Sequence, residues 1–204
     1  MFELFADSTP NARKISIMLE EINESYDLTL VNLNKGEQFY KEFKKISPFS
    51  KIPVLRHNSE TIFESGAILI YLADLSGEFY GSNQSLTTQW LMAQMGYIGP
   101  MLGQHHQFHH YNPGKSDFGE DRYFKIAETI YKNLDDHLSI NEYLANEYSI
   151  ADIATFPWIA RHPIHDIGLN KYINLLRWYN QISLRPAVLK GYDLFKDGSI
   201  PPPA

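Results

Sequence analysis

The sequence predicts an α+β/α protein, with a small mixed-sheet domain of order βαβαββα over residues 1–80 and an all-α helical-bundle domain over 87–204. Short segments rich in strand-forming residues occur before residue 64, whereas apolar residues recur at helical spacing from residue 87 onward. A polar stretch with two glycines, 76–85, separates these patterns and is typical of a linker. With 204 residues and 44% apolar composition, the chain can bury a core as one domain or as two small ones.

The elements of the first domain follow from alternation, spacing and turn residues. An alternating strand, 2–5, is followed by a polar turn and by a helix that begins near Asn11. The remaining predicted elements are a strand over 26–33, a helix over 39–46, strands at 53–55 and 61–63, and a helix over 66–75. This order is the thioredoxin-like arrangement, in which helices cover both faces of a small mixed sheet.

Helical patterns fill the second domain, over 87–110, 121–138, 149–160 and 172–182. The third begins with Ser149-Ile150-Ala151-Asp152, which has the form of a capping box with Asp in place of the commoner Glu or Gln. We therefore expect Asp152 to stabilise the fold and not to act on a substrate.

Two short segments carry the most specific chemistry. Pro53 begins a strand because proline cannot donate to a ladder, and a cis bond before it would leave the Ile52 N–H and C=O available to an extended peptide. Ser65 is a natural N-cap, so the following helix N-terminus suits a carboxylate, while Glu64 suits an ammonium. Together they fit an amino-acid zwitterion. The alternative is that Glu64 is a solvated acid and Pro53 merely starts a strand.

Composition excludes several classes of function. The net charge of −6 gives no electrostatic reason to expect nucleic acid or an anionic membrane as partner. The chain has no cysteine, and therefore no disulfide, thiolate metal site or protein thiol nucleophile. The first residues carry no basic run, and the longest apolar run is far shorter than a membrane span. We expect a soluble, cytoplasmic protein.

Histidines are spaced i, i+4 within one predicted helix, as His105 with His109 and His106 with His110. Such pairs can present two imidazoles to a metal ion, but neither a third ligand nor a His-Glu-x-x-His motif is evident. We expect no metal.

The segments Ile52-Pro53-Val54-Leu55 and Glu64-Ser65-Gly66-Ala67-Ile68 resemble the glutathione-binding half of the glutathione transferase superfamily. By this resemblance the cis-proline segment receives the cysteinyl backbone of glutathione, and the Glu-Ser pair receives its γ-glutamyl group.

The turn before the first helix resembles one class of that superfamily. Phe5 stands where some members carry Tyr, and Thr9-Pro10-Asn11 is similar to the entry of the bacterial Nu class, whose relatives include the yeast nitrogen-regulator prion protein. The resemblance implies that Thr9 and Asn11 are the catalytic residues nearest the glutathione sulfur. It also implies a set of glutathione-binding residues, namely Asn11, Gln38, Lys51, Ile52, Glu64, Ser65 and Arg122.

The residues themselves leave alternatives open for two of these. Lys51 is equally consistent with a solvated lysine, and Arg122 with a helix-surface charge paired to Glu120 or Asp121.

The Nu-class resemblance implies a glutathione-dependent disulfide-bond oxidoreductase in which bound glutathione thiolate, as substrate or co-substrate, is the nucleophile. A small-molecule disulfide would be the other substrate, no metal would take part, and the chain would form a homodimer. The alternatives are a glutathione S-transferase that conjugates electrophiles and a non-catalytic glutathione-binding regulatory protein.

Overall fold

The structure is a computed structural model that describes residues 1–196 and 199–202, so residues 197–198 and 203–204 of the predicted second domain lie outside the described residues. Its strands are β1 (Phe2–Ala6), β2 (Tyr26–Leu30), β3 (Val54–His57) and β4 (Glu60–Phe63). Its helices are α1 (Pro10–Glu21), α2 (Lys41–Ile46), α3 (Ser65–Ser76), α4 (Gln84–Ala93), α5 (Gly99–His105), α6 (Asp117–Leu138), α7 (Ile150–Ile159), α8 (His162–His165), α9 (Ile173–Ser183) and α10 (Pro186–Asp193).

The strands form one mixed sheet in the order β2-β1-β3-β4. β1 pairs parallel with β2 and antiparallel with β3, and β3 pairs antiparallel with β4. The first pair is parallel because α1 carries the chain across the sheet between its two strands. The predicted fold class, a thioredoxin-like sheet followed by helices, is confirmed.

The described residues divide into two compact units. One comprises residues 1–78, 186–196 and 199, and the other comprises 79–185 and 200–202. That 1–80 and 87–204 are the domains of this protein stays a prediction.

In the first unit α1 packs against both α3 and α10. Helix α10 was not predicted from the sequence, and it covers a face of α1 that the apolar pattern did not mark as buried. The two helices approach closely at Gly191, where a Cβ would lie 2.8 Å from Ile17 N and 2.9 Å from its Cγ1. Glycine is required there because any side chain would displace the α1 backbone.

The second unit contains α4 to α9. The predicted helix over 87–110 is a helical stretch with two π-helical turns, Gln94–Ile98 and His106–Tyr111, which follow α4 and α5 respectively. The predicted capping box is present, since Asp152 Oδ2 accepts from the Ser149 N–H at 3.1 Å and Ser149 caps α7. Short helix α8 was not predicted.

Candidate active site

The loop after β1 sets the first part of the site. Thr9 is the N-cap of α1, with its Oγ1 accepting from the Ala12 N–H at 3.2 Å, and Pro10 fills the first helical position. Because the Thr9 hydroxyl oxygen is the acceptor in this cap, its own O–H remains a donor. Asn11 follows in the first turn and is partly exposed. Both predicted catalytic residues therefore lie at the N-terminus of a twelve-residue helix.

The segment before β3 forms the second part. The Ile52–Pro53 peptide bond is cis, and β3 pairing begins only at Val54, so Ile52 precedes the ladder. Ser47 fixes the backbone of Lys51, since its Oγ donates to Lys51 O at 2.7 Å and accepts from Lys51 N–H at 2.9 Å. The side chain of Ile52 packs on a small apolar cluster, formed by Phe5, Val31, Phe43 and Val54.

The turn after β4 forms the third part and corrects one sequence-based prediction. Ser65 was predicted as the N-cap of α3, but it is the first helical residue, and Glu64 occupies the cap position without a capping side-chain hydrogen bond. Glu64 has φ +73° and ψ 116°, a backbone conformation that costs a non-glycine residue about 1–3 kcal/mol. Its C=O still accepts the first helical bond, from the Ile68 N–H at 3.0 Å.

The sheet register brings these three parts to one edge. Val54 pairs with Phe5 on β1 and with Phe63 on β4, so these three residues form one row across the sheet. Thr9 follows this row on β1 and Glu64 follows it on β4, while Ile52 precedes it on β3. Because neighbouring strands lie about 4.8 Å apart, the row spans roughly 10 Å.

Gln38 lies in a short 3-10 turn, Glu37–Phe39, that follows β2. Its Oε1 is buried and accepts no hydrogen bond from any residue that the structure describes. A buried polar atom without a partner is uncommon in proteins, and a ligand donor can satisfy it.

Two charged residues next to Asn11 are buried, which the sequence did not indicate. Arg13 donates to Tyr192 O at 3.0 Å and to Ser8 Oγ at 3.1 Å, and its guanidinium stacks over the Tyr192 ring at 4.0 Å. Lys14 is 1% exposed and donates from Nζ to Ser65 Oγ at 3.4 Å. Burial lowers the pKa of Lys14 to about 7, and the negative charge of Glu64 opposes this by favouring the ammonium.

Arg122, the remaining predicted binding residue, lies on α6 in the second unit and is exposed. Its two acidic neighbours are engaged elsewhere. Asp121 pairs with Lys125 at 2.8 Å, and Glu120 lies 3.6 Å from His109 Nδ1. The alternative in which Arg122 pairs with one of them is therefore not what the structure shows.

Three histidines of the second unit, His105, His106 and His165, form a buried network. His165 Nδ1 forms a hydrogen bond with Tyr131 OH at 2.6 Å, and His165 Nε2 lies 2.7 Å from His106 Nε2. His105 Nε2 lies 2.8 Å from His165 O. Burial lowers the pKa of both His106, to about 3, and His165, so the two rings are neutral at pH 7. His165 joins this network from a distant part of the sequence, which no local pattern indicated.

Within the described ranges, no group of three or more His, Cys, Asp or Glu residues is arranged to hold a metal ion. No helix within those ranges combines the length and the apolar character that crossing a bilayer requires.

Comparison with known proteins gives matches along most of the chain. Residues 2–74 match the family model for the glutathione S-transferase N-terminal domain, and residues 115–186 match that for the C-terminal domain. The disulfide-bond oxidoreductase YfcG of Escherichia coli is 40% identical over 198 residues, covering 92% of each chain. YghU of the same organism, also a disulfide-bond oxidoreductase, is 32% identical over 213 residues, covering 93% of this chain and 73% of that one.

A solved glutathione transferase from Pseudomonas putida, with one glutathione disulfide bound per subunit, has a TM-score of 0.89 and 37% identity, covering 95% of this chain and 91% of that one. A solved glutathione transferase from Burkholderia graminis, with two glutathione molecules bound per subunit, has a TM-score of 0.89 and 36% identity. The match covers 97% of this chain and 89% of that one. Both domain models match, and a relative 40% identical extends over nearly the whole length. This chain belongs to the glutathione S-transferase family, and its resemblance to the Nu class is confirmed.

Proposed function

We propose that this protein is a glutathione-dependent disulfide-bond oxidoreductase, in which the thiolate of bound glutathione is the nucleophile. The observation that carries the proposal is the row of Phe5, Val54 and Phe63. This row brings the segments that contain Thr9, Ile52 and Glu64 to the same end of the sheet, in a chain without cysteine. A site of this kind can hold a thiol peptide, and the sulfur must come from that ligand.

The order of the three segments matches the order of groups in glutathione. Glu64 and Ser65, beyond β4, receive the γ-glutamyl ammonium and carboxylate, because an acid lies beside a helix N-terminus there. The cysteinyl backbone pairs with Ile52 beside β3, and the sulfur then points towards β1.

Thr9 and Asn11 stabilise the thiolate. A free thiol has a pKa near 8.5, so donors aimed at the sulfur and the partial positive charge of the α1 N-terminus must favour its ionised form. Thr9 has a hydroxyl proton left after capping, and the Asn11 amide stands in the first turn. Both residues act by orientation and anion stabilisation, without a covalent bond to the substrate.

The other predicted residues bind the carboxylates and amides of glutathione. Gln38 Oε1 is a buried acceptor that a ligand N–H can satisfy. Lys51 is exposed and its backbone is fixed by Ser47, so its ammonium can reach a ligand carboxylate. Arg122, whose acidic neighbours are engaged elsewhere, offers a bidentate fork to a further carboxylate.

The reaction is two successive thiol–disulfide exchanges. The bound glutathione thiolate attacks one sulfur of a small-molecule disulfide, forming a mixed disulfide as the old S–S bond breaks, and the departing thiolate takes up a proton. A second glutathione thiolate attacks the glutathione sulfur of the mixed disulfide and releases oxidised glutathione and the second thiol. Two glutathione molecules thus supply the two electrons. Relatives named disulfide-bond oxidoreductase, and a neighbour that holds glutathione disulfide, support this reaction.

Steady-state reduction of 2-hydroxyethyl disulfide by glutathione tests the proposal against both alternatives. We expect turnover well above the buffer rate, and weak conjugation of chlorodinitrobenzene in parallel. Strong conjugation with no disulfide reduction would identify an electrophile-conjugating transferase instead. Tight glutathione binding with neither activity would identify a regulatory glutathione-binding protein.

We further propose that the protein is a cytoplasmic homodimer. Exposed apolar residues of the second unit, Met92 and Tyr97, give it a surface on which a second copy can pack. Gel filtration at the mass of one 23.6 kDa chain would overturn the dimer.

A further inference from the structure

Lys14 lies between the two ends of the proposed glutathione site. It is three residues after Asn11 on α1, so the two side chains leave the same face of that helix. Its Nζ donates to Ser65 Oγ, at the first residue of α3. Although it is a lysine, only 1% of it is exposed. Buried lysines are uncommon unless a charge or a function accounts for them.

The electrostatic surroundings leave Lys14 close to the midpoint of its titration at neutral pH. Burial brings the pKa of Lys14 down to about 7, and Glu64 is the acid that acts against this. Arg13 and Glu20, two other charged residues of α1, have partners of their own, since Arg13 donates to Tyr192 O at 3.0 Å and Glu20 lies 3.8 Å from Lys190. A new negative charge beside Ser65 would act on Lys14, because Lys14 Nζ lies 3.4 Å from Ser65 Oγ.

We propose that Lys14 is a positioning residue for the γ-glutamyl carboxylate of glutathione, and that Lys14 Nζ takes up a proton as this carboxylate binds beside Ser65. The inference rests on the proposed function, since it assumes that glutathione binds at Glu64 and Ser65. The carboxylate gains an ammonium in addition to the α3 N-terminus, and the ammonium gains a further negative charge besides that of Glu64.

Proton uptake makes affinity depend on pH with a defined sign. Well below pH 7 Lys14 already carries its proton in the free protein, so binding takes up almost none. Above pH 7 the free protein lacks this proton, and binding must acquire it from the buffer. Affinity for glutathione therefore falls as pH rises, by about tenfold between pH 6 and pH 8 for one group that titrates near pH 7.

Calorimetric titration with S-methylglutathione tests this directly, because that ligand has no thiol to titrate. Measurements at pH 7.5 in phosphate and in Tris, whose ionisation enthalpies differ, give the number of protons taken up. We expect about 0.7 proton per ligand for the wild-type protein. We expect no proton uptake for Lys14→Met, which nearly keeps the length of the side chain but removes its charge. For Lys14→Arg, which is charged at every pH measured, we expect a dissociation constant that varies little with pH.

Lys51→Met is the matched control, because Lys51 is an exposed lysine of the same proposed site. It should weaken binding and leave the proton uptake unchanged. If wild-type protein binds S-methylglutathione without taking up protons, or if Lys14→Met takes up as many as wild type, the role of Lys14 is refuted while the proposed function stands. If neither S-methylglutathione nor glutathione binds at millimolar concentration, the proposed function fails as well.

Discussion

Replacing Asp152 with alanine should strongly destabilise the helical unit, because four donors converge on this one buried carboxylate. Oδ1 accepts from the Leu144 N–H at 3.0 Å and from Trp178 Nε1 at 2.8 Å. Oδ2 accepts from the N–H and the Oγ of Ser149, each at 3.1 Å. The residue is fully buried, and burial raises the pKa of Asp152 to about 6 against the opposing effect of these donors.

The expected loss follows from the donors that Asp152→Ala would leave without an acceptor. The Ser149 hydroxyl can rotate to another partner, but the N–H groups of Leu144, Ser149 and Trp178 are fixed by the backbone and the ring. A buried donor left unsatisfied costs about 1–3 kcal/mol. With partial relaxation, three of them give a loss of about 4 kcal/mol, which is at the high end for single substitutions.

Urea unfolding followed by tryptophan fluorescence measures this loss where it occurs, since Trp90, Trp158 and Trp178 all belong to the second unit. With a slope of about 2 kcal/mol per molar urea, the midpoint should fall by roughly 2 M. Asp121→Ala is the matched control, an acid in an exposed pair with Lys125, and should change the stability by less than about 0.5 kcal/mol. A loss below 1 kcal/mol for Asp152→Ala, on the order expected for an ordinary surface change, would refute this reasoning.

The remaining predictions concern the glutathione site. Asn11→Ala should lower kcat for disulfide reduction by about 10- to 100-fold with little change in KM for glutathione, because a donor to the thiolate acts on its reactivity. A kcat equal to that of the wild-type protein would remove Asn11 from the mechanism. Glu64→Ala should instead raise KM for glutathione by about tenfold before kcat falls, and an unchanged KM in the same assay would contradict its assigned role. The free energy of unfolding should rise by about 2 kcal/mol between pH 7 and pH 9. Over this range Lys14 loses its proton in the folded protein, where its pKa is about 7, but keeps it in the unfolded chain, so the unfolded state binds more protons. Lys14→Met should lack that rise in urea unfolding at the two pH values, and a variant that keeps it would assign the effect to another group.

Local patterns in the sequence predict most elements of the fold. The strands and most helices follow from alternation and from apolar spacing, so their order could be predicted with boundaries a few residues in error. The sequence also marks the segments at Pro53 and at Glu64-Ser65, because a proline and a helix start are visible in local sequence, but that these segments bind glutathione stays a prediction. One local rule failed: Ser65 is a good capping residue, but the chain places Glu64 at the cap position in a positive-φ conformation.

Contacts between distant parts of the chain were beyond such reasoning. Arg13 is buried against α10, a short helix after residue 185 that returns to cover α1, and nothing near Arg13 in the sequence marks that return. The network of His106 and His165 likewise joins residues 59 positions apart. In both cases the surrounding structure determines the role of a polar side chain, and its own neighbours in sequence do not.

Two features that oppose stability in the first unit occur at the same place. Glu64 holds a backbone conformation that costs about 1–3 kcal/mol. Folding lowers the pKa of Lys14 from 10.5 to about 7, and this lowers the free energy of unfolding by about 4 kcal/mol at pH 7. Both adjoin Ser65, at the start of α3. Departures from local preference that collect at one point are typical of binding sites, where stability is lost for the sake of a ligand. Lys14→Met should therefore be more stable at pH 7 and bind glutathione less tightly, since the same buried charge causes both effects.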